Sequence, residues 1–259
     1  MIMMEPIVSI VIPVYNAKDY LRETMDSIAA LKCPNIEVII VDDGSTDNSA
    51  QIANEYILNS GLSAKLVVQP NQGASAARNA GITVAEGKYI LPFDSDDLVC
   101  EKFIDEAVQV MENDTRVKVV TSNAVFFGEQ TGLWDLPDFS LPALAQRNML
   151  PVCSLYRKTD WEKAGGYCID FAGREDWDFW ISLLKDGGNV VKLPVVGFKY
   201  RMHKNSKRNR TRKNKREIFA LLNKRHPGFF KEQLNGPLRI HRKFSKPYNT
   251  FLCFCGLSK

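Results

Sequence analysis

Runs of apolar, mostly β-branched residues end abruptly in polar clusters at three places along the chain. Val8 to Pro13 ends in Val14-Tyr15-Asn16, Glu37 to Val41 ends in Asp42-Asp43-Gly44-Ser45-Thr46-Asp47, and Tyr89 to Phe93 ends in Asp94-Ser95-Asp96-Asp97. Such runs predict buried strands at 8–13, 37–41 and 88–93, with a shorter one at 66–68. Between them, helical patterns are read near 17–31, 47–59 and 74–86. This alternation predicts a mostly parallel sheet covered by helices. In an open sheet of that kind, ligands bind beyond the carboxyl ends of the strands, and all three polar clusters fall there.

Further along, the pattern predicts a helix from Glu101 and a strand over 117–121. Residues 123–151 lose clear periodicity, with Gly128, Gly132, Pro137, Pro142 and Pro151 as punctuation, and suit an acceptor-facing wall or a mobile loop. Trp177, Trp180 and Leu184 recur at helical spacing and predict a helix over 175–184. A late strand over 190–199, interrupted at Pro194, and a helical stretch at 217–224 complete the reading, and no internal repeat is visible.

Composition narrows the class. A chain of 259 residues with 45% hydrophobic content can bury a substantial core, which excludes a disordered protein. No stretch approaches the roughly 18 to 20 consecutive apolar residues of a membrane span. Met1-Ile-Met-Met-Glu5 lacks a basic region followed by a long apolar one, so a soluble, cytoplasmic protein is expected. The six cysteines, at 33, 100, 153, 168, 253 and 255, have no paired spacing for zinc and read as reduced thiols. Charge is unevenly divided. Residues 1–198 carry 16 Lys+Arg against 28 Asp+Glu, net −12, whereas 199–259 carry 18 against 2, net +16. A basic block of that density suits anionic lipid, phosphate or nucleic acid, or a solvated surface.

The acidic clusters suggest chemistry. On a strand, Asp94 and Asp96 project to one side while Ser95 turns away, so two hard oxygen ligands converge. They would hold Mg²⁺ or Mn²⁺ incompletely, leaving coordination positions for a diphosphate. Asp97 would alternatively cap the helix from Glu101. Asp42, Asp43 and Asp47 would serve a ligand or build a turn, with Asp47 placed to cap the next helix.

The segments VSIVIPVYN at 8–16, VDDGSTD at 41–47, NQGASAARNAG at 71–81, DSD at 94–96 and ED at 175–176 resemble, in this order, the inverting family 2 nucleotide-sugar glycosyltransferases of the GT-A fold. The likeness covers residues 8 to about 206. It implies a GT-A domain over 1–203, α/β with a mostly parallel Rossmann-like sheet flanked by helices, and a basic, partly helical extension over 204–259.

By the same resemblance, Asp43 accepts a hydrogen bond from the nucleobase, beside a wall of Pro13, Tyr15 and Asn16. Arg78 braces Asp43 or offsets phosphate charge. Asp94 and Ser95 contact the donor, and Asp96 is the direct metal ligand, with Asp94 and with His203 of YRMHKNS in reach of the ion or diphosphate. Asp176 is the base that deprotonates the acceptor hydroxyl, with Glu175 and Trp177 toward acceptor or sugar. Glu175 and Asp176 would also complement the positive end of a helix, and at helical spacing Trp177 and Trp180 suit a core equally.

The expected function is therefore metal-dependent, inverting transfer of one sugar from a nucleoside-diphosphate sugar, a UDP-sugar above others, to a saccharide or lipid-linked acceptor in cell-surface glycan synthesis. No Gln-x-x-Arg-Trp follows Asp176, so processive synthesis is not expected. An anionic membrane surface is the expected partner of the extension, aided by Phe229, Phe230, Phe251, Leu252 and Phe254, which would alternatively pack onto the main domain, and no nucleic acid is expected. Two rivals stand beside this reading. A sugar-nucleotide nucleotidyltransferase would carry a Gly-rich phosphate loop after the first strand, where this chain reads PVYNAK. A nucleic-acid binder would rest on the extension alone.

Overall fold

Strand β1 (Val8–Val14) shows how the sheet is built. Val8, Ile10, Ile12 and Val14 enter one core while Val11 enters the other, as a side-chain period of two requires. Strand β2 (Ile36–Asp43) divides likewise, with Val38 and Ile40 on one side and Ile39 and Val41 on the other. Apolar residues on both faces make these strands stable only between two layers of helices. With β3 (Ala64–Gln69) and β4 (Tyr89–Pro92) they form a parallel array in the order β3-β2-β1-β4. Helices α1 (Leu21–Ala29) and α2 (Ser49–Ser60) cover one face, and α3 (Ala74–Val84) covers the other. In this computed structural model, residues 7–256 are described apart from 32, 34, 135 and 204–213.

Gly81 sets the closeness of α3. A Cβ there would lie 2.5 Å from Val11 Cγ1 and 2.9 Å from Val41 Cγ2, so only glycine lets this helix press onto β1 and β2.

The second half of the sheet is mixed. It contains β5 (Leu98–Val99), β6 (Val117–Gly128), β7 (Gly132–Trp134), β8 (Leu155–Arg157) and β9 (Asn189–Met202), in the order β4-β8-β6-β9-β5 with β7 paired to β6. β8 is antiparallel to β4 and β6, and β6 runs parallel to β9. Helices α4 (Lys102–Asn113), α5 (Leu141–Leu144), α6 (Lys158–Ala164) and α7 (Glu175–Leu184) fill the connections. Residues 123–151 are thus partly ordered by pairing, since 123–128 prolong β6 against β9, a long-range partner that no local period reveals. Pro194 does not end β9. The register passes from Ser122 opposite Leu193 to Asn123 opposite Val196, so the proline sits in an irregularity where no ladder donor is needed.

The extension carries α8 (Lys215–Arg225), α9 (Pro227–Leu234), a 3₁₀ turn (Arg242–Phe244) and α10 (Ser245–Phe254), while its basic run from Lys204 to residue 213 lies outside the described residues. Ile218, Phe219, Leu222, Phe229, Phe230 and Leu234 join the core of Trp177, Phe179 and Trp180. Phe229 and Phe230 are therefore core residues, unavailable to a lipid surface, whereas Phe251 and Phe254 remain exposed. Asp178 of α7, fully buried, accepts from Arg225 Nε and pairs with His226 Nε2, both at 2.7 Å. Among the described residues, no helix is long and apolar enough to cross a membrane.

One buried acid ties β1, β2 and the approach to β4. Glu37 Oε1 accepts from Ser9 Oγ at 2.6 Å and from the Glu86 and Gly87 amides at 2.6 and 3.1 Å. Burial opposes its ionisation, but the Ser9 hydroxyl, the two amides and Lys65 outweigh it and hold the carboxyl below its ordinary value. A folded-state value below the unfolded one gives stability that is fully present above the unfolded value and is lost as pH falls through the folded one. Glu37→Gln is expected to cost about 2 kcal/mol at neutral pH, since hydrogen bonds to a charged group are lost. Denaturant titrations at pH 7 and pH 3 check this. The gap between wild type and variant should narrow on acidification, and a gap that is equal at both pH values would exclude the charged clamp.

Candidate active site

The loops after β1 and β2 are stitched together. The Asn16 amide donates to Ser45 Oγ at 3.0 Å, and Asn16 Oδ1 accepts from the Thr46 amide at 2.8 Å, with Asn16 itself in the left-handed region at φ 52°. Gly44 is required here because its φ is +71° and a Cβ would lie 2.8 Å from the Asn71 amide nitrogen. Asp47 Oδ1 accepts from the Ser49 amide at 2.9 Å, so it caps the first turn of α2. Asp43 accepts from Gln69 Nε2, the Gln72 amide and the Gly73 amide at 2.8, 2.9 and 2.8 Å. Pro13 thus lies at the end of β1, Tyr15 and Asn16 lie on the loop that is joined to the one following Asp43, and Tyr15 is exposed.

The acidic segment converges by a turn and not by strand alternation. β4 stops at Pro92, and the Asp97 amide returns to the Asp94 carbonyl at 3.3 Å. Asp94, Asp96 and Asp97 each offer an oxygen within 4.8 Å of the others. Asp97 does not cap α4; its Oδ1 accepts from the Arg201 amide at 2.8 Å. Asp96 Oδ2 lies 2.9 Å from His203 Nε2. The Thr24 hydroxyl braces the turn, at 3.0 and 2.9 Å from the Ser95 and Asp97 carbonyls.

This cluster is electrostatically uncomfortable. Burial and then Asp94 push Asp96 above its ordinary value, against the pull of His203. Burial, Asp96 and Asp94 raise Asp97 well above its own. Asp97 Oδ2 is buried without a hydrogen-bond partner. Hard oxygens, mutual repulsion and an orphaned carboxylate oxygen fit a divalent cation.

Arg78 joins this turn to the far side of the crevice. It is 4% exposed, and it donates from Nη2 to Asp94 Oδ1 at 2.7 Å and from Nη1 to Glu175 Oε1 at 2.8 Å. Its expected partner Asp43 is instead held by the Gln69 side chain and backbone amides. Burial disfavours the guanidinium charge, but Asp94 and Glu175 more than restore it and raise its affinity for the proton. Two carboxylates on a planar fork are a geometry that lysine does not reproduce.

Helix α7 presents Asp176. Gly173 at φ 126° and Arg174 at φ 60° turn the chain into the helix, whose first turn holds Glu175, Asp176 and Asp178 over the positive end of the backbone dipole. Asp176 Oδ2 accepts from Asn148 Nδ2 at 2.6 Å and Oδ1 from the Trp177 amide at 2.9 Å. Glu175 is buried on Arg78, so it supports the crevice from behind. Trp177 is wholly buried with its Nε1 donating to the Leu144 carbonyl at 2.7 Å, so its ring is core and is not offered to a sugar.

Three contributors were not singled out from sequence. Arg201 holds the Asp96 carbonyl through Nε at 2.7 Å while its guanidinium lies over the Tyr20 and Phe127 rings. Its neighbourhood to His203 was the available signal. Thr24 and Asn148 carry none, since one sits inside an ordinary helix and the other in the stretch without periodicity.

Comparison with known proteins agrees with this geometry. The sequence profile of Glycosyl transferase family 2 matches residues 9–178. Glycosyltransferase GlyG of Streptococcus pneumoniae is 40% identical over 130 residues, which are 50% of this chain and only 42% of that protein. The chain thus matches less than half the length of that relative. UDP-Glc:alpha-D-GlcNAc-diphosphoundecaprenol beta-1,3-glucosyltransferase WfaP of Escherichia coli is 31% identical over 210 residues, covering 77% of this chain and 79% of that protein. In fold, S. aureus TarS 1–349 in complex with UDP-GlcNAc is similar, with a TM-score of 0.73 at 20% identity over 97% of this chain and 73% of that one. Mannosyltransferase PcManGT from Pyrobaculum calidifontis, in complex with GDP-Man and Mn²⁺, gives 0.69 at 20% identity over 98% and 75%. With the family profile covering most of the chain and the parallel array ending in these loops, the chain belongs to glycosyl transferase family 2 and has the GT-A fold.

Proposed function

We infer that this protein transfers one sugar, with inversion, from a UDP-sugar to a hydroxyl of a saccharide or lipid-linked saccharide in cell-surface glycan synthesis. The observation that carries the reading is the single guanidinium of Arg78 bonded to both Asp94 and Glu175, which sets the acidic turn and the Asp176 helix across one crevice. The nucleobase would lie against Pro13, Tyr15 and Asn16. Asp43 uses three of the roughly four acceptor positions of a carboxylate internally, which leaves one for an imide N–H of uracil. Ser95 and Asp94 would contact the ribose and diphosphate of the donor. WfaP is named for a UDP-Glc donor and a diphosphoundecaprenol-linked acceptor, and TarS was captured with UDP-GlcNAc, which supports the same classes here.

Asp176 would take the proton of the acceptor hydroxyl as its oxygen bonds to the anomeric carbon. The bond from that carbon to the diphosphate oxygen breaks on the opposite face, and configuration inverts. Asp94, Asp96 and Asp97 would hold a Mn²⁺ or Mg²⁺ ion, with His203 beside it on Asp96. Such an ion supplies positive charge for the departing diphosphate.

The test is a thermal-shift series with UDP, GDP and their sugar conjugates, with and without Mn²⁺. A ligand at 100 times its dissociation constant stabilises by about 2.7 kcal/mol, a rise of roughly 5–10 °C for a chain of this size. UDP compounds with Mn²⁺ are expected to give it, and Asp96→Ala should remove the metal-dependent part while staying folded. A larger shift with GDP would overturn the choice of base, and no shift with any nucleotide would overturn the reading.

A further inference from the structure

Beside the Asp176 helix lies a cavity of about 830 Å³ between α8 and residues 237–248, lined chiefly by Phe219, Leu238, Ile240, Phe244 and Tyr248. Its walls are mainly apolar, with Arg216, Arg239 and His241 among them, and Ile240, Phe244 and Tyr248 are among the exposed large hydrophobic residues of the surface. A volume of this order is typical of small-molecule sites. The groove reaches the candidate base through its own floor. Phe219 packs edge-on against Trp177, ring centroids 5.8 Å apart, and Trp177 follows Asp176 directly.

Cations gather where groove and helix meet. Arg242 stands in the 3₁₀ turn between the groove residues His241 and Phe244. Arg174 immediately precedes Glu175 and Asp176, and Arg147 immediately precedes Asn148, whose amide holds Asp176. These guanidiniums are close enough to oppose one another. Burial first, then Arg174 and Arg147, make the Arg242 proton easier to lose than usual. Like charges held together beside an apolar groove match a ligand with an anionic head and a hydrocarbon tail.

We propose that this groove and its arginine cluster bind the lipid-linked phosphate of the acceptor, with Arg147, Arg174 and Arg242 holding the phosphate beside Asp176 and the groove taking the first part of the chain. The proposal rests on Asp176 as the acceptor-side base. It goes beyond that reading by assigning the acceptor class to residues of the extension.

Farnesyl diphosphate is the probe, titrated calorimetrically into the full chain without divalent ion, so that the acidic turn does not attract it. The variants are Arg174→Asn with Arg242→Gln, asparagine being tolerant of the left-handed backbone at 174, and Phe244→Asp at an exposed position. Both are expected to bind about 10-fold more weakly or worse, while UDP with Mn²⁺ binds all proteins alike. Inorganic pyrophosphate should bind more weakly than farnesyl diphosphate, and phosphatidylglycerol vesicles should not displace the probe. Equal probe binding in every protein, pyrophosphate binding as tight as the probe, or displacement by such vesicles would each overturn the proposal. Loss of UDP binding by the wild type with the probe still held would strike the donor reading and leave this site supported.

Discussion

Asp176→Asn is expected to bind UDP and Mn²⁺ like the wild type and to release UDP from its donor about 100-fold more slowly or worse, because general-base assistance is worth roughly that much. The substitution keeps the shape of the side chain and an acceptor oxygen for the Asn148 amide, which now lies 2.6 Å from Asp176 Oδ2. What it removes is the ability to accept a proton. Single-turnover release of UDP, with a lipid-linked saccharide or with water as nucleophile, measures the chemical step, and calorimetry measures binding. Unimpaired turnover would remove Asp176 from the chemistry. Weakened UDP binding with normal turnover per bound complex would instead place it on the donor.

The second large effect concerns Arg78. Removing one partner of a buried ion pair typically costs about 3–5 kcal/mol, because the opposite charge stays behind in a poorly solvated place. Arg78→Met should therefore lower the melting temperature by roughly 10 °C, and it should also lose nucleotide binding, since Asp94 and α7 lose their common anchor. Arg78→Lys restores charge but offers a point donor to two carboxylates on opposite sides, and should recover only part of either quantity. A cycle with Glu175→Gln separates charge from packing. If the pair at 2.8 Å is the cause, the double variant loses less stability than the sum of the two single ones. Strict additivity would show that the Glu175 pair is not the source of the loss and would leave the Asp94 pair and the packing of Arg78 to account for it.

Local chemistry made the catalytic half of the chain readable. β-Branched runs predicted β1, β2 and β4 within a few residues, because a strand buried on both faces must be apolar at nearly every position. Ordered motifs then placed Asp43, Asp94, Asp96 and Asp176 at strand and helix ends. Asp47 as the cap of α2 and Glu175 at the start of α7 were equally legible, since helix entry depends on a few neighbouring side chains.

Tertiary structure alone decided the partners. Arg78 sits 16 residues from Asp94 and 97 from Glu175, and nothing local tells a guanidinium which of several acids it will meet. Asp97 was legible as a helix cap, yet it faces the Arg201 amide because β5 pairs with β9 and carries the turn there. Residues 123–128 had no period of their own because β9, more than 60 residues away, orders them. The extension read as a basic, partly helical appendage, since charge dominates its composition. Its role as part of the core depends on where Phe219, Phe229 and Phe230 find apolar neighbours, and burial of that kind is a property of the assembled chain and not of any segment in it.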